Sequence, residues 1–190
     1  MKLNDTLEMN RKNRIDFQRM KLLLACASKD PTRLIINKVQ VKKTESGITI
    51  TATDGRRMRT DRFDLEAAPG IYDIKVNSGT SVFLMKNRER LKFPDTGRVI
   101  PSLDPQDAYA LKGPGKCFVV WAAAAQGCLL DPERIALAED EAVTLYIQKE
   151  HPALSPAVMK NADTLFLLMP CRVTEAWGQQ LEQIRTARAA

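Results

Sequence analysis

From Phe17 onward the apolar positions of this chain recur with two different periods, and each switch between them marks a new element. Phe17, Met20, Leu24 and Ala27 fall at helical spacing with Leu23 beside them; this predicts a helix that Asp16 caps and Asp30-Pro31 ends. From 34 to 42 the period shortens to two. Ile35, Asn37, Val39 and Val41 share one face and Ile36, Lys38 and Gln40 the other, which predicts a strand. Thr44-Glu45-Ser46-Gly47 reads as a turn and residues 48–53 as the return strand of a hairpin. Asp54-Gly55 makes a tight turn into a third strand ending at Phe63. Beyond Pro69-Gly70, residues 71–76 and 82–85 are both strand-like.

The segment Phe93-Pro94-Asp95-Thr96-Gly97-Arg98-Val99-Ile100-Pro101 breaks this pattern. Each proline pushes the residue before it toward extended geometry, so Phe93 and Ile100 are expected to be extended and the whole to act as a stiff connector. Residues 102–115 hold Pro105, Gly113, Pro114 and Gly115 and read as a loop, and 117–121 as a short apolar strand. Asp131-Pro132-Glu133 is a capped helix start, the helix running to Glu139. Residues 143–148 read as a strand, 152–156 as a turn, and 165–169 as a strongly apolar strand. A final helix is predicted over 174–190, with Trp177, Leu181 and Ile184 on one side.

The predicted order is helix, strands, connector, helix, strands. It implies a pseudo-repeat: an α+β fold of two helix-plus-strands halves, with helices packed on one face of antiparallel sheets. The polar residues 1–14 read as a flexible arm, and 15–173 as one domain with halves 15–92 and 102–173 joined by the connector 93–101.

Composition narrows the chemistry. At 190 residues and 44% hydrophobic content the chain can bury a real core. It has no apolar run of membrane-spanning length (about 18 residues), and Met1-Lys2-Leu3-Asn4-Asp5 is unlike a secretory signal, so a cytoplasmic protein without a membrane partner is expected. Cys26, Cys117, Cys128 and Cys171 are scattered and His151 is the sole histidine, so neither metal nor cofactor is expected. Residues 1–64 carry 15 Lys+Arg against 8 Asp+Glu, whereas 65–190 carry 14 against 15. The excess positive charge therefore lies in the first third, which suits a phosphate backbone or simply a solvated surface. Lys42, Lys43, Arg57, Arg59 and Arg62 are the DNA-contact candidates, and with Arg56 they also suit a solvated face. No triad, phosphate loop or catalytic carboxylate pair is recognisable, so the protein is not expected to be an enzyme; Glu139-Asp140-Glu141 reads as a solvated charge run.

Ala52-Thr53-Asp54-Gly55-Arg56-Arg57-Met58, Phe93 to Pro101 and Leu167-Leu168-Met169-Pro170-Cys171-Arg172-Val173, taken in order, resemble the bacterial DNA sliding clamp, the DNA polymerase III beta subunit. Ile36-Asn37 and Leu154-Ser155-Pro156-Ala157-Val158 add to the likeness. The resemblance implies a shortened, single-domain-like relative with a DNA-clamp-like fold, holding half of the family's middle domain, the connector and half of its last domain. It departs at Arg56, where the family has histidine, and at Cys171, where a second methionine is usual.

What the resemblance implies about function is a processivity-type accessory role in DNA replication or repair. A hydrophobic cleft would accept short peptides of DNA polymerases or repair proteins, and the chain would contact double-stranded DNA as a homo-oligomer. An alternative is a stand-alone module that competes for such peptides without encircling DNA. The matching cleft positions are Ile36, Thr53, Gly55, Arg56, Met58, Pro94, Val99, Leu167, Met169, Pro170, Cys171 and Arg172. Methionines accommodate varied apolar anchors, glycine permits close backbone approach, prolines keep the walls rigid, and arginines hold polar ends. Read alone, Met58, Val99, Leu167 and Met169 suit a plain core better than a pocket, and Asp54-Gly55 suits a plain hairpin turn. Cys26 and Cys128 read as small core residues and His151 as part of a turn.

Overall fold

The computed structural model describes residues 4–171, so the helix predicted over 174–190 and Arg172 lie outside the described residues. Ten strands form one antiparallel sheet in the order β1-β6-β5-β2-β3-β4-β10-β9-β8-β7. The first six are β1 (Thr6–Asn10), β2 (Val39–Thr44), β3 (Gly47–Thr53), β4 (Arg57–Phe63), β5 (Gly70–Asn77) and β6 (Ser81–Lys86); helix α1 (Arg14–Leu24) follows β1. After residues 93–101 come β7 (Ala108–Pro114), α2 (Gly115–Ala125), β8 (Ala142–Gln148), β9 (Ala157–Lys160) and β10 (Thr164–Leu168).

This is the expected α+β architecture, and its two halves are visible in the topology. The later half lays down its strands as β10-β9-β8-β7, and the earlier half matches it with β4-β3-β2 and β1, the β5-β6 hairpin being inserted before β1. The last strands of the halves, β4 and β10, pair with each other, placing Met58 opposite Leu167 and Arg59 opposite Phe166. That pairing joins residues a hundred positions apart into one sheet.

Alternation along each strand divides the buried side chains between two faces. Phe63, Phe166, Leu168, Ala157 and Met159 pack with Phe17, Met20, Leu23 and Leu24 of α1 and Val119 and Ala123 of α2 in the main core. Their strand neighbours Met58, Leu167 and Val158 form a second cluster on the opposite face, with Ile100 and Leu103 packed against it. Helices therefore cover one face of the sheet, and the segment after β6 crosses the other.

Several elements differ from the sequence reading, each for a physical reason. Residues 1–14 are not simply an arm: Leu7 and Met9 of β1 point inward between exposed Thr6, Glu8 and Asn10, and β1 pairs with β6 at the sheet edge. The strand expected from residue 34 begins only at Val39, because the Arg33 carbonyl accepts from Asn37 N and the Ile35 carbonyl from Lys38 N, closing tight turns. Residues 117–121 are helical, since the alanines that follow have the strongest helix propensity and extend α2 to Ala125. Part of the expected 102–115 loop is β7; as an edge strand it tolerates Gly113 and Pro114, which an interior strand would not.

Gly115 then turns the chain from β7 into α2 at φ +70°, where a Cβ would stand 2.2 Å from the Glu139 carbonyl oxygen. The helix expected to Glu139 is a single 3-10 turn, Pro132–Arg134, with Asp131 accepting from Glu133 N. It stops because Ile135, Ala136 and Leu137 are consecutively buried, and one helix face cannot bury three successive residues. Among the described residues no helix is long and apolar enough to cross a membrane.

Candidate functional site

The β3–β4 turn is built by its own carboxylate. Asp54 Oδ1 accepts from Arg56 N (2.9 Å) and Arg57 N (3.0 Å), while its Oδ2 lies 3.1 Å from Arg57 Nε. Thr53 Oγ1 donates to the Arg57 carbonyl (2.8 Å) and accepts from Gly55 N (3.1 Å). Gly55 takes φ +87°, a conformation that costs other residues strain, and a Cβ there would stand 3.5 Å from the Arg33 guanidinium. Pairing continues past the end of β10, where Met169 N donates to the Arg56 carbonyl (2.9 Å), so Met169 stands beside the turn.

Residues 93–101 supply the facing wall. Buried Phe93 fixes one end, and Ile100, extended at φ −81° and ψ 115°, packs into the second cluster at the other. Between them the chain is not extended: Asp95 accepts from Gly97 N and caps a 3-10 turn, Thr96–Val99, that leaves Val99 52% exposed. The aspartate is spaced to make that turn, and its other oxygen holds Arg98 at 3.1 Å.

These elements enclose a cleft of about 180 Å³ lined by Ile36, Thr53, Gly55, Arg56, Arg57, Met58, Pro94, Asp95, Thr96, Val99, Pro156, Leu167 and Met169. Its floor is Met58 and Leu167, opposed across the β4–β10 ladder and 4% and 3% exposed; its rim is Val99 and Met169, at 52% and 43%. The volume is below the roughly 300–1,000 Å³ usual for small-molecule sites and suits a few apolar side chains presented from outside. Met58 and Leu167 are thus buried as core residues are, while Val99 and Met169 are exposed.

The structure brings nine of the sequence-derived cleft positions together: Ile36, Thr53, Gly55, Arg56, Met58, Pro94, Val99, Leu167 and Met169. Pro170 and Cys171 line an adjoining depression with Arg56, Asp131, Arg134 and Met169. Sequence reasoning missed Asp95, Thr96 and Pro156, although each sits inside a stretch already singled out. It also placed Arg57 with the DNA-contact candidates rather than here.

The DNA-contact candidates fare differently. Arg59 is fully buried, which corrects its assignment: it pairs with Asp61 and Glu141 and donates to the Ala136 carbonyl and Thr164 Oγ1. Arg57 is half-buried and consumed by Asp54 and by the carbonyls of Ala25 and Arg134. Arg62 is exposed but paired with Asp163 at 2.8 Å, and Lys42 and Lys43 are exposed. The solvated charge run is likewise corrected at Glu141, whose side chain is only 13% exposed against Arg59. Burial pushes the Asp61 carboxyl up, opposed by the Arg59 guanidinium and the Thr164 hydroxyl that donates to it. Among the described residues no cluster of His, Cys, Asp or Glu is arranged to hold a metal ion.

No protein-family model matches the chain, and no curated protein matches it either. Solved structures do. The DNA polymerase III subunit beta of Borrelia burgdorferi, in complex with a natural product, matches with a TM-score of 0.50 at 14% identity, over 91% of this chain and 64% of that one. A protein of Eubacterium rectale ATCC 33656 assigned as a DNA polymerase III beta subunit matches with a TM-score of 0.59 at 8% identity, over 90% and 66%. The chain spans about two thirds of the length of these proteins and shares their clamp-like α+β fold.

Proposed function

We propose that this protein is a clamp-like accessory factor of DNA replication or repair that tethers partner proteins by receiving short apolar peptide segments in the cleft. The observation that carries this reading is the rigid slot between two preformed walls, with Met58 and Leu167 as its floor and Val99 and Met169 as its rim. Binding there costs little ordering of the protein, because Asp54 and Asp95 already hold the turns on either side. A few anchors would carry most of the affinity. The effect would be raised local concentration rather than chemistry.

The test is fluorescence anisotropy with a labelled Leu-Phe-containing peptide. Saturable binding that Met169→Ala weakens without unfolding the protein supports the reading; no binding at high micromolar concentration rejects it.

A second reading, a module that takes such peptides without encircling DNA, is favoured by the side chains of β4 and α2. Arg59 is buried, Arg57 is engaged, and α2 carries a single charged side chain, Lys116, and a 78% exposed Trp121, although α1 carries Arg14, Arg19 and Lys21 against Asp16. Solution mass and retention on circular against linear DNA separate the two. An oligomer retained only on circular DNA supports the first, and a monomer indifferent to DNA the second.

A further inference from the structure

The apolar cleft does not end at the β3–β4 turn. Over that turn it opens into a polar groove whose cations are Lys29, Arg33, Arg56, Arg57 and Arg134, set against Asp54, Asp131 and Glu133. Arg56 and Arg57 line both depressions, so cleft and groove are one continuous surface. Two of the cations are already spent: Arg57 on Asp54 at 3.1 Å and Arg134 on Asp131 at 3.0 Å. Arg33 reaches Asp30 only at 3.6 Å, with both side chains about half exposed, an interaction worth little in water. Lys29 and Arg56 are exposed and form no ion pair among the described residues, whereas Glu133 is the one groove carboxylate without one.

The facing wall of the cleft carries a carboxylate. There residues 93–101 offer Asp95, which binds Arg98 and Gly97 N with its two oxygens. The turn side of the slot therefore carries exposed cations, Lys29 and Arg56, that form no ion pair among the described residues, whereas the carboxylate on the 93–101 side is engaged by Arg98. An extended segment anchored by apolar side chains would lie with its acidic end over Arg56 and run on toward Arg33 and Lys29.

Resting on the cleft reading above, we infer that the partner segment is an apolar anchor flanked on one side by carboxylate side chains, which the Lys29–Arg33–Arg56 groove selects. Guanidinium groups at Arg33 and Arg56 suit carboxylates in the planar, two-point manner. Arg33 is held at the rim by donating to the Asp54 carbonyl at 3.1 Å, which leaves part of its donor fork for a ligand. Rim charges of this kind add specificity and faster encounter more than deep affinity.

The experiment uses the full chain and a set of end-capped, labelled peptides sharing one Leu-Phe anchor. The flanks are Asp-Glu, Ser-Ser or Lys-Lys, placed before or after the anchor, and binding is read by anisotropy at low and high salt. In one placement the Asp-Glu peptide is expected to bind about fivefold tighter than the Ser-Ser peptide, and the Lys-Lys peptide weaker than either. The difference should shrink as salt rises. A Lys29→Glu, Arg33→Glu double variant, checked for an unchanged melting midpoint, should lose or reverse the preference. Peptides that all bind equally well in both placements overturn the groove inference and leave the cleft standing. Peptides that all fail to bind overturn the cleft reading, and the groove inference with it. An acid preference that survives the double variant overturns the assignment to this groove.

Discussion

Arg59 Nε lies 2.7 Å from Asp61 Oδ2, two residues along the same strand, and both side chains are wholly shielded from solvent. Glu141 and the Ala136 carbonyl close the guanidinium's other side, and Thr164 Oγ1 donates to Asp61. The network thus ties β4 and β10 to the 135–141 segment. Arg59→Ala would strand two carboxylates near the core and is expected to cost about 3–5 kcal/mol in urea denaturation. Replacing the pair together, as Arg59→Met with Asp61→Leu, should cost markedly less; an equal loss would mean that the charges themselves hold the halves together.

Floor and rim of the cleft should separate in their energetics. Leu167 is 3% exposed and sits in the second apolar cluster, so Leu167→Ala should cost about 2–5 kcal/mol of stability. Met169 is 43% exposed, and Met169→Ala should change stability by less than about 0.5 kcal/mol while weakening peptide binding several-fold. Thermal melts run beside anisotropy titrations read both quantities.

Acid should weaken the β2–β5 region through one carboxylate. Burial would raise Asp73, but hydrogen bonds from Lys38 (2.6 Å), Asn87 (3.0 Å) and Lys75 (3.2 Å) outweigh it and hold the carboxyl below its ordinary value of 3.8. Its stabilising contribution is therefore fully present above that value and is lost as pH falls through the lower folded one. The stability gap between wild type and Asp73→Asn should be constant above about pH 5 and narrow below 3.8. Chemical denaturation across that range measures it; a gap that widens in acid would reverse the sign of the linkage.

The four cysteines should divide evenly under a thiol reagent. Burial pushes the Cys26 thiol up to about 12, against the pull of Arg57 and Arg59, and Cys128 up to about 11. Cys117 and Cys171 are exposed. Native protein should react at these two positions promptly and at the other two only after unfolding, as counted by mass spectrometry. Because Cys171 adjoins Met169 and Arg56, a cleft-bound peptide should slow its labelling and spare Cys117.

Amino-acid order alone was enough for β3 through β6, for most of β2 and for the turn at Asp54-Gly55, whereas the cleft positions were singled out by the resemblance and not by their own pattern. Strand alternation and turn chemistry are local properties, and Asp54 and Asp95 each make their turn with atoms two or three residues away. What the tertiary structure alone decided was the destination of each side chain that depends on remote partners. Arg59 looks like its exposed neighbour Arg62 until the Ala136 carbonyl and Glu141, 77 and 82 residues away, come to meet it. The edge strands β1 and β7 and helix α2 are likewise set by the ladders and core they join, since an apolar run or a polar-apolar alternation takes its final form from what it packs against. The slot itself arises from the β4–β10 pairing, a long-range contact that no local pattern encodes.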